Sequence, residues 1–431
     1  MKRGNAKILL TAIGLILIVA ILALAGACSS STPAPSTSAP PATSTAPASP
    51  TSSAGKVLKI GMILPATGAA AEKGKPGGDA VKDAMEYVNK ELNGANGYPI
   101  QISWRDSQYK ADNVALIVKD FMNEGDLLFT TMSSAEMTAA MAIANRAAFP
   151  GIVTYAAPTN INPPEHIYAH SPDYGDDWVA FVNYYLKNIW KGSGKPKMAL
   201  HLLNNTTGSS VKDVALAKAE GMGVEIVATE EHAADTISEM ESLTRIKAKN
   251  PDVMYIASTP KPTSVIMKNA KDLGLLTPNF TVALGHAAIA KSLVDLAGAD
   301  VVEGVYGIFT TVTWDDNVPG LAKAREYAQK NNPADIGNMD YLACWNTSLV
   351  VAEILRNAVK NVGYDALVKG DANAWKAVEQ SGIQKLSGYS VDGLQGPVSY
   401  TVGSNKLGKS IKLYTIKSGK ITAIGDWIEA K

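Results

Sequence analysis

The sequence predicts an α/β protein made of two Rossmann-like lobes with parallel sheets. From Val57 onward, short apolar segments of strand length alternate with amphipathic segments of helical spacing. This alternation restarts after a proline-containing joint at 162–173. A chain of 431 residues is also longer than one ordinary core requires. Successive strand–helix–strand units need right-handed crossovers, so the strands are expected to be parallel and covered on both faces.

The first lobe is predicted to begin with a strand at 57–64, which Pro65 to Gly68 ends. A glycine-rich loop ending at Gly77-Gly78 would follow, and the first helix would start at Asp79. The remaining elements predicted for this lobe are strands at 100–104, 127–132 and 152–157 and helices at 114–122 and 135–148.

The second lobe is predicted to open with a helix at 176–190, and Gly221 and Gly274 are expected at helix ends. Its strands are predicted at 198–203, 224–228, 253–257 and 280–284, with an amphipathic helix at 237–246. Helices at 321–330, 339–362 and 374–380 would then precede strands at 411–416 and 421–424. A two-stranded hairpin is marginal alone, so this tail is expected to join the sheet of a lobe.

The overall composition limits the class of partner. Lys and Arg number 40, as do Asp and Glu, so the formal net charge is +0 and no general field attracts nucleic acid. A hydrophobic content of 46% supports a buried core. Only two cysteines occur, and Cys344 lies in an apolar stretch, which favours a buried structural thiol.

The N-terminus has the pattern of an export signal. Basic residues precede an uncharged run of 20 residues from Ile8 to Ala27, and Cys28 follows. Residues 29–55 are Ser, Thr, Pro, Ala and Gly, which cannot pack and would form a stalk. The segment Leu24 to Cys28 resembles the lipobox of bacterial lipoproteins, which implies a lipid on Cys28. An uncleaved anchor and a freely secreted protein remain alternatives, and all three place the body outside the cytoplasm.

Motifs for catalysis are not found. The sequence has no G-x-S-x-G, and Gly192 to Lys195 lacks parts of a phosphate-binding loop. His166 and His170 are predicted to lie on extended chain, too far apart for one metal ion. The adjacent acids Asp176 and Asp177 are expected to be solvated loop residues. No enzyme activity, metal site or cofactor is therefore predicted.

An open parallel sheet binds small molecules at the carboxyl ends of its strands. Ser133 and Ser134 follow the third predicted strand, where capping of the next helix and ligand contact are both compatible with the sequence. Tyr155 and Thr159 follow the fourth strand and would supply an aromatic wall and a hydroxyl. In the second lobe, the loops at 204–209 and 234–236 are likewise predicted to follow the carboxyl ends of strands.

The order of motifs resembles a known family over Val57 to Lys431: the extracellular solute-binding proteins of ABC importers, leucine/isoleucine/valine type. These proteins have the periplasmic binding protein type I fold. The matching segments are Ile60 to Gly68, Gly74 to Asp79, Ser133-Ser134, Lys249 to Val253, Ala270 to Leu275 and Glu303 to Tyr306.

The resemblance implies two lobes joined by three hinge crossings, with ligand between them. Lobe one would comprise 57–172 and 307–392, and lobe two 173–306 and 393–431. The crossings would fall near Ser171-Pro172, near Tyr306 and near 393–397.

The resemblance also implies the site residues. Ser133, Ser134, Ala156 and Thr159 would hold the carboxylate and ammonium of an amino acid from lobe one, beside Tyr155. Lobe two would offer Thr207, where the family has an aromatic residue, and Asp235, the residue there able to carry the acid's charge. Lys73 stands where the family has an aromatic residue of the first loop. This gain of a cation favours a ligand with more negative charge, or one that is not an amino acid.

The function implied is capture of a small polar solute for an ABC permease and its ATPase by a monomer anchored through lipid. A ligand-sensing partner of a membrane receptor is an alternative, as is a binder of a non-amino-acid organic acid. An enzyme that reuses the cleft is a third class, for which no acid–base or nucleophile constellation is present.

Overall fold

The structure is a computed structural model that describes residues 55–430, which belong to one compact unit. Its strands are β1 (Leu58–Leu64), β2 (Ile100–Asp106), β3 (Phe129–Thr131), β4 (Gly151–Val153), β5 (Ile167–Ala169), β6 (Lys197–Leu203), β7 (Glu225–His232), β8 (Val253–Ala257), β9 (Thr281–Leu284), β10 (Tyr306–Phe309), β11 (Ser410–Lys417) and β12 (Lys420–Glu429).

Helices connect most of these strands. They are α1 (Ala71–Glu91), α2 (Ala111–Glu124), α3 (Ser134–Ala147), α4 (Pro158–Ile161), α5 (Tyr174–Tyr184), α6 (Thr206–Met222), α7 (Met240–Lys247), α8 (Pro260–Asp272), α9 (Lys291–Ala297), α10 (Pro319–Asn331), α11 (Met339–Val362) and α12 (Ala372–Ser381). A π-helical turn at Tyr185–Ile189 extends α5, and short 3-10 turns lie at Pro333–Asp335 and Ile383–Lys385.

Two sheets organise the molecule, which confirms the predicted α/β class. The first has the order β2-β1-β3-β4-β5 and is parallel throughout. The second has the order β12-β11-β10-β9-β8-β6-β7 and is parallel from β7 to β10. β11 pairs antiparallel with β10 and with β12, so the C-terminal hairpin completes the second sheet, as predicted.

The first helix begins eight residues before the predicted start at Asp79. Gly74, Gly77 and Gly78 therefore lie inside α1, and the expected glycine-rich loop is wrong. The glycines serve close packing instead of chain flexibility. A Cβ on Gly74 would lie 2.0 Å from the carbonyl oxygen of Pro65, and one on Gly78 would lie 2.4 Å from Leu64 Cδ1. The helix consequently sits directly on the end of β1.

A smaller difference concerns the end of α6. The helix continues to Met222, and Gly223 follows it with φ of 81°. Gly223, not Gly221, is therefore the left-handed cap residue.

The strand pairing leads us to propose two different lobe boundaries. Tyr306–Phe309 is β10 and lies within the second sheet, so we propose that the crossing predicted near Tyr306 follows Phe309. Ala169 of β5 bonds to the backbone of Asn405 and Leu407, both at 2.8 Å, so we propose that the third crossing, predicted near 393–397, follows Gly408. We take lobe one as 57–172 with 310–408, and lobe two as 173–309 with 409–430.

Helix α11 lies in the core of lobe one. It packs on α1, where Trp345 stacks on Tyr87 with ring centroids 5.6 Å apart. Cys344 is buried on this helix, as predicted, and burial raises the pKa of its thiol to about 12. The thiol is therefore a packing group.

Within residues 55–430, no helix is long and apolar enough to cross a membrane. The predicted signal at 8–27 and the predicted lipid site, Cys28, lie outside the described residues.

Candidate functional site: a pocket between the two sheets

A pocket of about 340 Å³, including the space at its mouth, lies between the lobes. Its polar and aromatic lining from lobe one is Lys73, Tyr109, Ser133 and Tyr155. Its lining from lobe two includes Tyr174, Thr207, Thr259 and Ala287. These residues lie on the loops or first helical turns that follow the carboxyl ends of strands, except that Lys73 lies in the first turn of α1. The pocket thus occupies the edge at which parallel α/β sheets bind ligands.

Four of the eight predicted binding residues meet in this pocket: Lys73, Ser133, Tyr155 and Thr207. Ser134 is buried beside it, with its hydroxyl 3.5 Å from that of Tyr174. Ala156 is also buried, and its carbonyl accepts a bond of 3.2 Å from the Tyr174 backbone N–H. That carbonyl, predicted to receive a ligand ammonium, already joins the two lobes.

The other two predicted residues lie away from the pocket. Thr159 is exposed on α4, where the neighbouring Asn160 turns inward and donates to the Ser134 carbonyl oxygen at 3.3 Å. Asp235 is exposed after β7. That strand is at the edge of its sheet and runs to His232, beyond its predicted end at 228, so its following loop does not line the pocket.

Lys73 is not a free cation. It is 5% exposed, and its Nζ lies 2.6 Å from Oδ1 of Asp340, in the first turn of α11. The Tyr155 hydroxyl donates to the same oxygen at 2.6 Å. Burial, followed by the nearby Asp340 charge, raises the pKa of Tyr155. The cation at position 73 is thus paired with Asp340 inside the protein, and the inference that it favours a ligand with more negative charge stays a prediction.

Glu136 stabilises the loop that carries Ser133 and Ser134. Ser133 caps α3, and its hydroxyl accepts from the Glu136 N–H at 3.5 Å. The Glu136 carboxylate accepts a bond from Thr131 at 2.5 Å and another from Ser107. Burial raises the pKa of Glu136 to about 7, although these two bonds oppose the shift. This carboxyl ties the loops after β2 and β3 together.

A cluster of aromatic rings behind the pocket connects Tyr174 and His286 of lobe two with Tyr155 of lobe one. His286 is fully buried, with ring centroids 4.5 Å from Tyr174 and 4.9 Å from Tyr155. Asp177 accepts from the His286 backbone N–H at 2.9 Å and lies 2.8 Å from its Nδ1. Asp176 and Asp177 are thus structural groups in the first turn of α5, and the prediction that they are solvated loop acids is wrong.

Sequence reasoning missed Tyr109, Thr259 and the segment at 285–287. Each follows a strand, namely β2, β8 and β9, so the rule that selected Ser133 and Thr207 would have found them. Asp340 carried no comparable signal, because it follows a loop and begins a helix of lobe one.

The histidines considered for metal binding flank β5, the extended chain that was predicted. His166 contacts Glu379 at 2.9 Å, whereas His170 lies 2.5 Å from Gln395. Burial lowers the pKa of His170 to about 4. In the part of the chain that the structure describes, no group of three or more His, Cys, Asp or Glu is arranged to hold a metal ion.

A family model described as periplasmic binding protein matches residues 57–420. The chain belongs to this family. Membership makes the chain a solute-binding protein and implies a location outside the cytoplasm, in agreement with the resemblance found in its motifs. A comparison with curated protein sequences gave no match.

Solved structures show the same fold as this periplasmic binding protein. A branched-chain amino acid ABC transporter protein from Thermus thermophilus, with bound valine, has 18% identity and a TM-score of 0.76, covering 87% of this chain and 97% of its own. A branched-chain amino acid substrate-binding protein from Streptococcus pneumoniae, in complex with isoleucine, has 19% identity and a TM-score of 0.71, covering 87% and 100%. A fatty acid ABC transporter substrate-binding protein from Thermomonospora curvata has 17% identity and a TM-score of 0.74, covering 87% and 93%.

Proposed function

We propose that this periplasmic binding protein is the ligand-binding component of an ABC-type uptake system. It captures a small polar solute, an amino acid or a related amide or carboxylate, between its lobes and delivers it to a membrane permease driven by an ATPase. The pocket between the sheets carries this proposal, since it joins hydroxyls, a buried lysine and tyrosine rings from both lobes.

The protein acts by binding and release and performs no chemistry. It works as a monomer, since one chain supplies both walls of the pocket. A lipid on Cys28 holds it at the outer face of the membrane, and the polar segment at 29–55 gives the body reach toward the permease.

A second candidate ligand class is a non-amino-acid organic acid. The observation that favours it is the position of Asp235, which is exposed and outside the pocket, so the acid expected to hold an ammonium is missing from the lining. The neighbour from Thermomonospora curvata is a fatty acid ABC transporter substrate-binding protein, so such ligands are compatible with this fold.

The proposal is tested by thermal shift on the purified protein with amino acids, amides, aliphatic carboxylates and aromatic acids. A ligand that binds the native state raises the melting temperature, by an amount that grows with concentration. A complete absence of shifts and of calorimetric heats across the panel would contradict solute capture.

The double variant Ser133→Ala, Ser134→Ala locates the site with a ligand from this panel. Two lost hydroxyl bonds, worth about 1 kcal/mol each, should weaken binding about tenfold or more. If only the helix cap matters, the melting temperature falls while the dissociation constant holds, because a lost cap costs about 1 kcal/mol of stability.

A further inference from the structure

We infer that the ligand is a small carboxylic acid with an apolar body and no ammonium group, a desamino acid in place of an amino acid. This inference rests on the proposed function and narrows its ligand class. It follows from which charges and dipoles face the pocket between the sheets.

The pocket wall lacks a group that could balance a ligand ammonium. No aspartate or glutamate of the described chain is among its lining residues. Asp235 is exposed elsewhere, and the Ala156 carbonyl is bonded to Tyr174. An amino acid would therefore bury its ammonium with no acid of the lining to pair with it, and burying a charge without a partner is strongly unfavourable.

Asp340 is shielded from the pocket. Its Oδ1 receives the Lys73 ammonium and the Tyr155 hydroxyl, both at 2.6 Å. Its Oδ2 is buried with no hydrogen-bond partner, but the side chain is 1% exposed and is not part of the pocket lining. Any ligand cation that approached the Tyr155 oxygen would also approach Lys73, because both groups contact that one carboxylate oxygen. The repulsion from Lys73 would oppose an ammonium at this end of the pocket.

Glu72 is the other acid near Lys73, and it too stands outside the lining. It lies in the first turn of α1, and one of its carboxylate oxygens, Oε1, is buried with no hydrogen-bond partner. Burial raises the pKa of Glu72, against the opposing effect of Lys73. A position in the first turn of a helix is favourable for an acid by itself, so Glu72 needs no ligand cation to explain it.

The same pocket favours a carboxylate. Helix α6 begins beside Thr207 and α8 begins beside Thr259, and neither helix has an acidic residue in its first turn. No acid in the first turn of either helix therefore opposes its positive dipole end, although the Asn205 side chain accepts from the Thr207 N–H at 2.8 Å. Lys73 adds an ammonium with N–H groups beyond the one that Asp340 takes, and charge-assisted bonds of this kind are the strong ones.

The rest of the lining suits an apolar body. Tyr109, Tyr155 and Tyr174 present rings, and Met132, Ala70 and Ala287 fill the space between them. The enclosed part of the pocket is about 30 Å³, room for little more than a water molecule, so a ligand enters only when the lobes move apart. The rings of the lining favour a short acid with one ring or a branched chain.

The direct test uses ligand pairs that differ by the ammonium group alone. Calorimetry on the full-length protein compares 3-phenylpropanoate with L-phenylalanine, and 4-methylpentanoate with L-leucine. We expect the desamino acid of at least one pair to bind about tenfold or more tightly than its amino acid. Tighter binding of the amino acids overturns the inference but leaves solute capture intact.

Binding of none of the four compounds at millimolar concentration also overturns the inference. Solute capture itself is contradicted only if none of the amino acids, amides, aliphatic carboxylates and aromatic acids binds. The failure of this inference and the failure of the proposed function are therefore distinguishable. If the amino acids are preferred and Glu72→Gln removes that preference, Glu72 is the missing ammonium partner.

A charge-neutral pair of substitutions tests the part played by Lys73. Lys73→Met with Asp340→Asn removes both members of the buried ion pair, so no buried charge is left alone. We expect affinity for the better desamino acid to fall about tenfold or more. The control is Lys75→Met with Asp79→Asn, an ion pair on the same helix whose side chains are 68% and 15% exposed.

The control pair should leave the affinity unchanged. Equal affinity in the Lys73 double variant, with circular dichroism showing a folded protein, overturns the assignment of Lys73 as the cation that the ligand meets.

Discussion

Glu136 is a buried side chain that makes the stability of the folded protein depend on pH. Its pKa is raised by burial to about 7 in the folded protein, against an ordinary value of 4.5. Between these values the folded state binds more protons than the unfolded state, so the free energy of unfolding decreases as the pH rises. Asp126, with its pKa also raised by burial to about 7, contributes in the same direction.

We predict that Glu136→Gln flattens this decline. Between pH 5 and pH 8 the wild-type protein should lose about 1 to 3 kcal/mol more stability than the variant, because the amide cannot ionise. Urea unfolding at a series of pH values measures the difference. Asp126→Asn is the matched comparison, and combining the two substitutions should remove both contributions. Parallel profiles for the wild-type and Glu136→Gln proteins would contradict this role.

At the scale of elements, helical glycines differ sharply in what surrounds them. Gly74 of α1 has the Pro65 carbonyl oxygen 2.0 Å from the position of an added Cβ, whereas Gly221 of α6 has nothing within 4 Å. The first glycine permits close contact between helix and strand end. The second costs helical stability without a packing reason.

We predict opposite effects of alanine at these two positions. Gly74→Ala should destabilise the protein by about 1 to 3 kcal/mol, because the Pro65 backbone must move. Gly221→Ala should stabilise it by up to about 1 kcal/mol, since it removes a glycine from a helix. Chemical denaturation compares the two. Equal effects of the two substitutions would show that the close contact with Pro65 does not oppose a side chain at position 74.

A second contact between elements lies at a lobe crossing. Lys406, on the segment that pairs with β5, bonds to Asp176 and lies 2.9 Å from Oδ2 of Asp173. Both acids belong to the start of α5, in lobe two. Burial and then the neighbouring Asp173 raise the pKa of Asp176, so the lysine holds together two acids that repel each other.

We predict that Lys406→Met lowers the free energy of unfolding by up to about 3 kcal/mol at pH 8, because two part-buried carboxylates lose their cation. The loss should be smaller at pH 5, where a carboxyl with a raised pKa can bind a proton. Lys409→Met is the control, since the Nζ of Lys409 lies 3.4 Å from the Thr401 hydroxyl and forms no ion pair with an acid of residues 55–430. A loss that is equal at both pH values would rule out the repulsion of the acids as its cause.

At the scale of the whole molecule, the lobes meet across the pocket at side chains. Asn205 at the start of α6 lies 3.5 Å from the Tyr109 hydroxyl of lobe one. Three backbone crossings and contacts of this kind allow closure by small changes of backbone angles at the hinge.

We predict that ligand compacts the protein in solution. Small-angle scattering of the full chain, with and without the tightest ligand of the panel, should show a smaller radius of gyration in its presence. The double variant Ser133→Ala, Ser134→Ala is the control at the same ligand concentration. An unchanged radius at saturation, from a ligand-free form shown to be open, would count against hinge closure.

We also predict that Cys28 carries lipid. The wild-type N-terminal peptide should begin at an acylated Cys28, and Cys28→Ser should abolish the modification while export continues. Mass spectrometry of the peptide reads both outcomes. A peptide that retains residues 8–27 ahead of Cys28 would refute the lipoprotein proposal.

The sequence by itself determined the α/β class, the two sheets and most strand positions, because hydrophobic periodicity and turn residues act over a few neighbours. It also predicted loops that line the pocket, since the carboxyl ends of parallel strands share one edge. Ser133, Tyr155 and Thr207 followed from that rule.

Tertiary structure alone decided the charges of the site and the limits of the lobes. Lys73 and Asp340 are 267 residues apart in sequence, so no local pattern reveals that one balances the other. Asp235 has the right residue type, but the edge position and extra length of β7 carry it away from the pocket. The glycines of α1 likewise resemble a loop until the packing against Pro65 is known. Pairing between distant segments depends on how the whole chain packs, which local sequence does not encode.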